Sequence, residues 1–193
     1  IREVLQTKNP SFVLLENVDR LLKSPSTQRG RDFGVMLACL NAEGYSVEWR
    51  VINAAEYGAG QRRRRIFIYA YKNTTQYGVS KTETDPKDVI LKEGFFAETF
   101  PVNKAESAKM KIKELPVEVG EVSKTFQCAF ENSGIMKNGI IYTIKTVPDY
   151  HGKQITLGDV MEIGQVEEQY FIPEEKLYYT DPAVTHSDET EQR

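Results

Sequence analysis

Phe12-Val13-Leu14-Leu15-Glu16-Asn17-Val18 decides the fold. Four consecutive apolar residues, set off by Asn9-Pro10 and ending in a carboxylate, read as a strand buried on both faces, the pattern of a parallel sheet. Glu16 then sits at the C-terminal edge, where open α/β sheets bind their ligands. Working outward, Arg2 to Gln6 could close a helix, and Pro25 and Gly30 punctuate a polar connection. Phe33, Met36, Leu37 and Leu40 follow at i, i+3, i+4 and i+7, with Gly44 as a C-terminal stop, which predicts an amphipathic helix. Tyr45 to Ile52 and, after the Gly58 to Gly60 turn, Ile66 to Tyr71 are rich in Val, Ile, Tyr and Trp and read as strands. The order strand, helix, strand, strand predicts one side of an α/β sheet. About three strands and one helix are too few for a doubly wound domain, so something must complete the sheet.

From Asn73 the texture changes to short Val-, Ile-, Thr- and Phe-rich segments between Gly, Pro and Asn turns. A boundary near residues 72 to 80 is expected, dividing the chain into 1–75 and a small β-rich domain over 76–193. Val117 to Val122, Thr125 to Phe130, Ile140 to Val147 and Gln169 to Ile172 read as strands, and Leu157 to Ile163 is open between a helical turn and an extended piece. The run from Thr180 to Arg193 reads as a frayed or truncated end.

The net charge of −3 is unevenly spread. Residues 1–72 carry 12 Lys and Arg against 7 Asp and Glu, residues 73–158 carry 11 against 11, and residues 159–193 carry 2 against 10. Positive charge gathers at the front, most densely in Arg62 to Arg65, where it could meet a phosphate backbone, and the acidic tail should point away from nucleic acid. Apolar runs such as Ile66 to Ala70 are far shorter than the roughly 20 residues that cross a bilayer, so no membrane segment is expected. The opening Ile-Arg-Glu-Val shows neither a start Met nor a signal pattern, and the chain is expected to begin inside a longer protein. Cys39 and Cys128 have neither metal-site nor disulfide spacing; no metal is expected, and a reducing cytosol fits. His151 and His186 carry no assigned chemistry.

Glu16 alone would be unremarkable, a polar residue where a strand emerges into solvent. Gln61-Arg62-Arg63-Arg64-Arg65 changes the balance, because it leads straight into the strand Ile66-Phe67-Ile68-Tyr69. Alternate side chains such as Arg63 and Arg65 then share a face. A free-standing arginine run is a localisation tag or a solvated patch. Arginines packed at a strand's start need anionic or carbonyl partners, which phosphates and a base supply.

Leu14-Leu15-Glu16-Asn17-Val18 and Gln61-x-Arg63-x-Arg65, with Asn53-Ala-Ala-x-Tyr57-Gly58 between them, resemble the DNA (cytosine-5)-methyltransferases over residues 1–72. One departure is Gly60, where many members carry Pro, which suggests a more mobile entry to the arginine run. The resemblance implies a partial Rossmann-like methyltransferase sheet over 1–75, the rear part of a catalytic domain, followed by a target-recognition domain over 76–193. It implies that the family's glycine-rich loop for S-adenosylmethionine and its Pro-Cys nucleophile lie upstream, on the same polypeptide or a separate subunit, so that this chain alone is inactive. In the whole enzyme a cytosine leaves the duplex stack, a thiolate adds to C6 and C5 takes the methyl group. Glu16 would steady the pyrimidine through ring N3 and the exocyclic amine. Arg65 and Arg63 would bind the base O2, a phosphate or Glu16 itself, Asn17 would orient the strand end, and Gln61 would fix the loop.

Double-stranded DNA is the expected partner, contacted by Arg62 and Arg64, within a bacterial restriction–modification setting in the cytosol and nucleoid. Base readers are sought in Glu131 to Gly139, where Asn132, Ser133 and Lys137 offer suitable groups, although Asn138-Gly139 equally fits a hairpin turn. Two alternatives stay open: a DNA-binding module without catalysis, such as a degenerate methyltransferase, and an RNA cytosine methyltransferase.

Overall fold

The computed structural model describes residues 2–161, 164 and 167–173. The acidic run from Thr180 and His186 lie outside the described residues, as do Glu162 and Ile163. Residues 1–156 and 157–193 form separate compact units.

The first unit is built on a six-stranded sheet. In chain order its elements are α1 (Arg2–Lys8), β1 (Phe12–Asn17), α2 (Arg31–Ala42), β2 (Tyr45–Asn53), β3 (Arg64–Lys72), α3 (Gln76–Thr82), α4 (Pro86–Asp88), β4 (Val102–Lys104), β5 (Lys111–Glu114), α5 (Val119–Thr125), β6 (Ser133–Lys137), β7 (Ile140–Ile144) and β8 (Thr146–Pro148). The sheet order is β1-β3-β2-β6-β7-β5, and β4 and β8 form a separate ribbon. Every pairing is antiparallel. The expectation of a parallel, doubly buried first strand is therefore corrected. β1 is an edge strand whose residues alternate between exposed and half-buried, with Phe12 and Leu14 exposed.

The helix read from its apolar spacing is α2. Phe33, Leu37 and Leu40 are buried against Val47 and Trp49 of β2 and Ile66 and Ile68 of β3. Phe126 and Phe130, from the second half of the chain, join the same core, with the Phe33 ring edge-on to Trp49 at 5.2 Å and to Phe130 at 4.9 Å. Such aromatic contacts contribute about 0.5–1.5 kcal/mol each beyond their burial. The boundary expected near residue 75 thus marks no break in packing: β2 pairs with β6, and the sheet runs on through the hairpin closed at Asn138-Gly139, both at positive φ.

Three strand readings are corrected. Val119–Thr125 is a helix whose Val122 inserts into the core, residues 126–130 are not a strand, and Glu168–Tyr170 forms a 3-10 turn. Leu157–Val160 is a single helical turn. Among the described residues no helix is long and apolar enough to cross a membrane.

Candidate active site and nucleic-acid interface

The antiparallel register sets the site. Glu16 faces Phe67 and Asn17 faces Ile66, so the end of β1 meets the start of β3. Arg65 Nε lies 2.8 Å from Glu16 Oε1, and Arg64 Nε lies 2.9 Å from Asp19 Oδ2. Successive side chains of a strand point to opposite faces, so these two ion pairs flank one end of the sheet. An Arg65 terminal nitrogen also donates to the Arg64 carbonyl at 2.8 Å, which fixes the guanidinium beside Glu16. Half of Glu16 remains open to a ligand, with its side chain 45% exposed.

Gln61, Arg62 and Arg63 precede the strand and are exposed. Arg63 lies one residue before β3. Its carbonyl accepts from the Ala54 amide at 3.0 Å, which anchors the entry. Gly58, at φ 89°, lies where a Cβ would meet the Lys153 carbonyl at 2.4 Å, and its own carbonyl accepts from the Ile155 amide at 2.8 Å. Tyr57 Oη donates to the Pro101 carbonyl at 3.2 Å. The loop that reaches Gly60 is thus tied to residues 101 and 153–155. Asn17 Oδ1 accepts from the Val18 amide at 2.8 Å, a local turn at the strand end.

The polar groups of the 131–139 hairpin that were expected to read bases have partners within the chain. Asn132 exchanges two bonds of 2.8 Å with the backbone of Thr146, and Ser133 is fully buried with Oγ 2.7 Å from Thr146 Oγ1. Lys137 Nζ donates to the carbonyls of Thr82 at 3.0 Å and Thr84 at 2.8 Å, closing the end of α3. These groups hold the sheet to its neighbours. Cys39 lies on α2, and burial pushes the Cys128 thiol up to about 11, which suits packing and not nucleophilic attack.

Sequence reasoning assigned no role to Glu48 and Arg50 on β2, which are buried. Glu48 accepts from Tyr77 Oη at 2.8 Å and from the Phe95 amide at 2.9 Å, and burial pushes its carboxyl up to about 7. Arg50 donates to the carbonyls of Ile90, Phe96 and Phe100, and burial lowers it to about 10. Their alternation with Val47 and Trp49 was the signal, since the opposite face of a strand this apolar also had to be covered. Among the described residues no cluster of His, Cys, Asp and Glu could hold a metal ion.

The cavity beside Asn53 is lined by Lys23, Arg29, Arg64 and Lys145 together with Asp19, Glu56 and Glu131.

One end of the sheet thus carries a half-exposed carboxylate beside a guanidinium and is preceded by an exposed basic loop. The chain belongs to the C-5 cytosine-specific DNA methylase family, whose model matches residues 1–188. It is 50% identical over 159 residues to the type II methyltransferase M.Sau3AI of Staphylococcus aureus, covering 82% of this chain and 38% of that protein. It is 32% identical over 120 residues to M.NlaIV of Neisseria lactamica and 35% identical over 120 residues to M.NgoBV of Neisseria gonorrhoeae, each covering 60% of this chain and 28% of the relative. The chain thus spans well under half the length of these relatives.

Proposed function

We propose that the chain forms the cytosine-holding and DNA-reading part of a type II DNA (cytosine-5)-methyltransferase, which methylates C5 of a flipped cytosine in a specific duplex sequence. The Glu16–Arg65 pair carries this reading. At 2.8 Å the guanidinium orients a carboxyl group that is still half open, and such a group can bond ring N3 and the exocyclic amine of cytosine. That contact favours the electron distribution required for attack at C6. Arg63 and Arg65 also reach the base O2 or the adjoining phosphate, while Arg62 and Arg64 add charge along the backbone. Asn17 and Gln61 hold the strand end and the loop.

In this reading residues 1–75 serve catalysis and residues 76–193 serve recognition, a division of labour within a continuous sheet. S-adenosylmethionine and the nucleophilic thiolate belong to a further segment, and residues 1–193 alone transfer no methyl groups. The edge of β1 supports this, because among the described residues no strand pairs with its side away from β3, and Phe12 and Leu14 are exposed. An apolar sheet edge is a template for a further strand. The opposite edge strand, β5, reads Lys-Ile-Lys-Glu and is protected by its charges. The relatives are type II methyltransferases of bacteria, which supports a bacterial setting.

The test is the chemistry of the product. The complete protein incubated with duplex DNA and labelled donor should give 5-methylcytosine on nucleoside analysis. Methylation at cytosine N4 or adenine N6, or of RNA alone, would contradict the proposal.

A further inference from the structure

A cavity of about 390 Å³ opens where the end of β2 meets the β4–β8 ribbon. Its wall carries Lys23, Arg29, Arg64 and Lys145 against Asp19, Glu56 and Glu131. Two of those acids are engaged, Asp19 by Arg64 and Glu131 by Lys111. Among the described residues Lys23, Arg29 and Lys145 form no ion pair, so three cations face the single free carboxylate of Glu56. Converging unpaired cations indicate a polyanionic ligand. A neighbouring cavity of about 400 Å³ shares Lys145 and Glu131 and adds Lys109, Glu106 and the Lys111 already paired with Glu131.

Asn53 supplies the second observation. It faces Arg64 across the β2–β3 pair and is one of the residues lining the cavity, yet it is only 9% exposed, and its Oδ1 is closed to solvent without a hydrogen-bond partner, so a ligand donor reaches it only once the Asn53 side chain turns toward the cavity. An unpaired buried acceptor costs about 1–3 kcal/mol, and a donor arriving with a ligand recovers that loss. A phosphodiester has no such donor, whereas the amino or ring N–H of a nucleobase does. We propose that this cavity seats one DNA nucleotide outside the Glu16 pocket, with its flanking phosphates on Lys23, Arg29 and Lys145 and a base N–H on Asn53 Oδ1. This rests on the DNA-binding reading above and adds contacts that neither the arginine run nor the 131–139 hairpin provides.

The probe is a short fluorescent DNA duplex titrated with the chain over a range of salt concentrations and followed by anisotropy, with Tm measured in parallel. Lys23→Gln and Lys145→Gln should each weaken binding and reduce the slope of log affinity against log salt by about 0.9, the loss of one phosphate contact. Lys113→Gln, an exposed change outside the cavity, should leave the slope unaltered. Asn53→Ala should weaken binding without lowering Tm, because it removes an unpaired acceptor. If Arg62→Gln reduces the slope and the two lysine changes do not, the cavity proposal falls and the DNA-binding reading stands. If the unmodified chain binds no duplex at any salt concentration, both fall. An Asn53→Ala variant with lowered Tm and unchanged affinity would make Asn53 a structural residue and overturn its contact.

Discussion

Arg65 Nε lies 2.8 Å from Glu16 Oε1, joining the first residues of β3 to the last residues of β1. Both side chains keep substantial exposure, 28% and 45%, and a pair this open contributes about 0–1 kcal/mol to folding. Its value lies in aiming the carboxyl group. Arg65→Lys keeps the charge but loses the planar fork. Urea unfolding should therefore shift by less than about 1 kcal/mol, while single-turnover methylation by the complete protein drops on the order of tenfold or more. A variant with unimpaired turnover would remove Arg65 from the site.

Glu48 predicts a pH dependence of stability. Its carboxyl has an ordinary value of 4.5 and is raised to about 7 in the folded chain, first by burial, with Tyr77, the Phe95 amide, Arg50 and Lys81 pulling partly the other way. The folded state therefore holds a proton that the unfolded chain releases between those values. The contribution to stability is fully present below about pH 4.5 and is lost as pH rises through about 7. Glu48→Gln should flatten this part of the stability curve and gain most above pH 7. A curve that rises between pH 5 and 7 in the parent and is unchanged in the variant would contradict the assignment.

Gly134 tests the continuity of the sheet. A Cβ there would lie 2.1 Å from the Trp49 ring, which β2 presses against β6. Gly134→Ala must displace the indole that anchors both halves of the core, at a cost of about 1–3 kcal/mol. Near-UV circular dichroism of Trp49 and hydrogen exchange in β7 should report one shared transition at lower temperature. Two separate transitions, with only the second half destabilised, would mean that residues 1–75 fold alone.

Local pattern made part of this legible. The spacing of Phe33, Leu37 and Leu40 placed α2, and aromatic and β-branched density placed β2 and β3. An apolar run such as Phe12 to Leu15 does not reveal how many neighbours its strand has, so β1 was read as a doubly buried parallel strand. Val119 and Val122 suggested a strand because β-branched residues favour one, yet packing of Val122 against α2 favoured a helix. The pairing of β2 with β6 joins residues more than 80 positions apart, beyond any local signal. At the site, Glu16 and Arg65 were legible through two distant motifs. For Asn132, Ser133 and Lys137 the sequence shows a polar group but not the partner within the chain that it bonds. Asn53 stands inside Asn53-Ala-Ala-x-Tyr57-Gly58, but a sequence does not show that its oxygen is buried without a partner.

Glu16 is tested most directly by single-turnover methylation with the complete protein under saturating DNA and donor. Glu16→Gln preserves size and most hydrogen bonding but cannot supply the proton or the charge. Methyl transfer should fall by roughly 10²-fold or more, the scale of general acid–base catalysis, with DNA affinity and Tm close to the parent. A Gln variant that transfers methyl groups at the parent rate would contradict the assignment of this sheet end as the cytosine site.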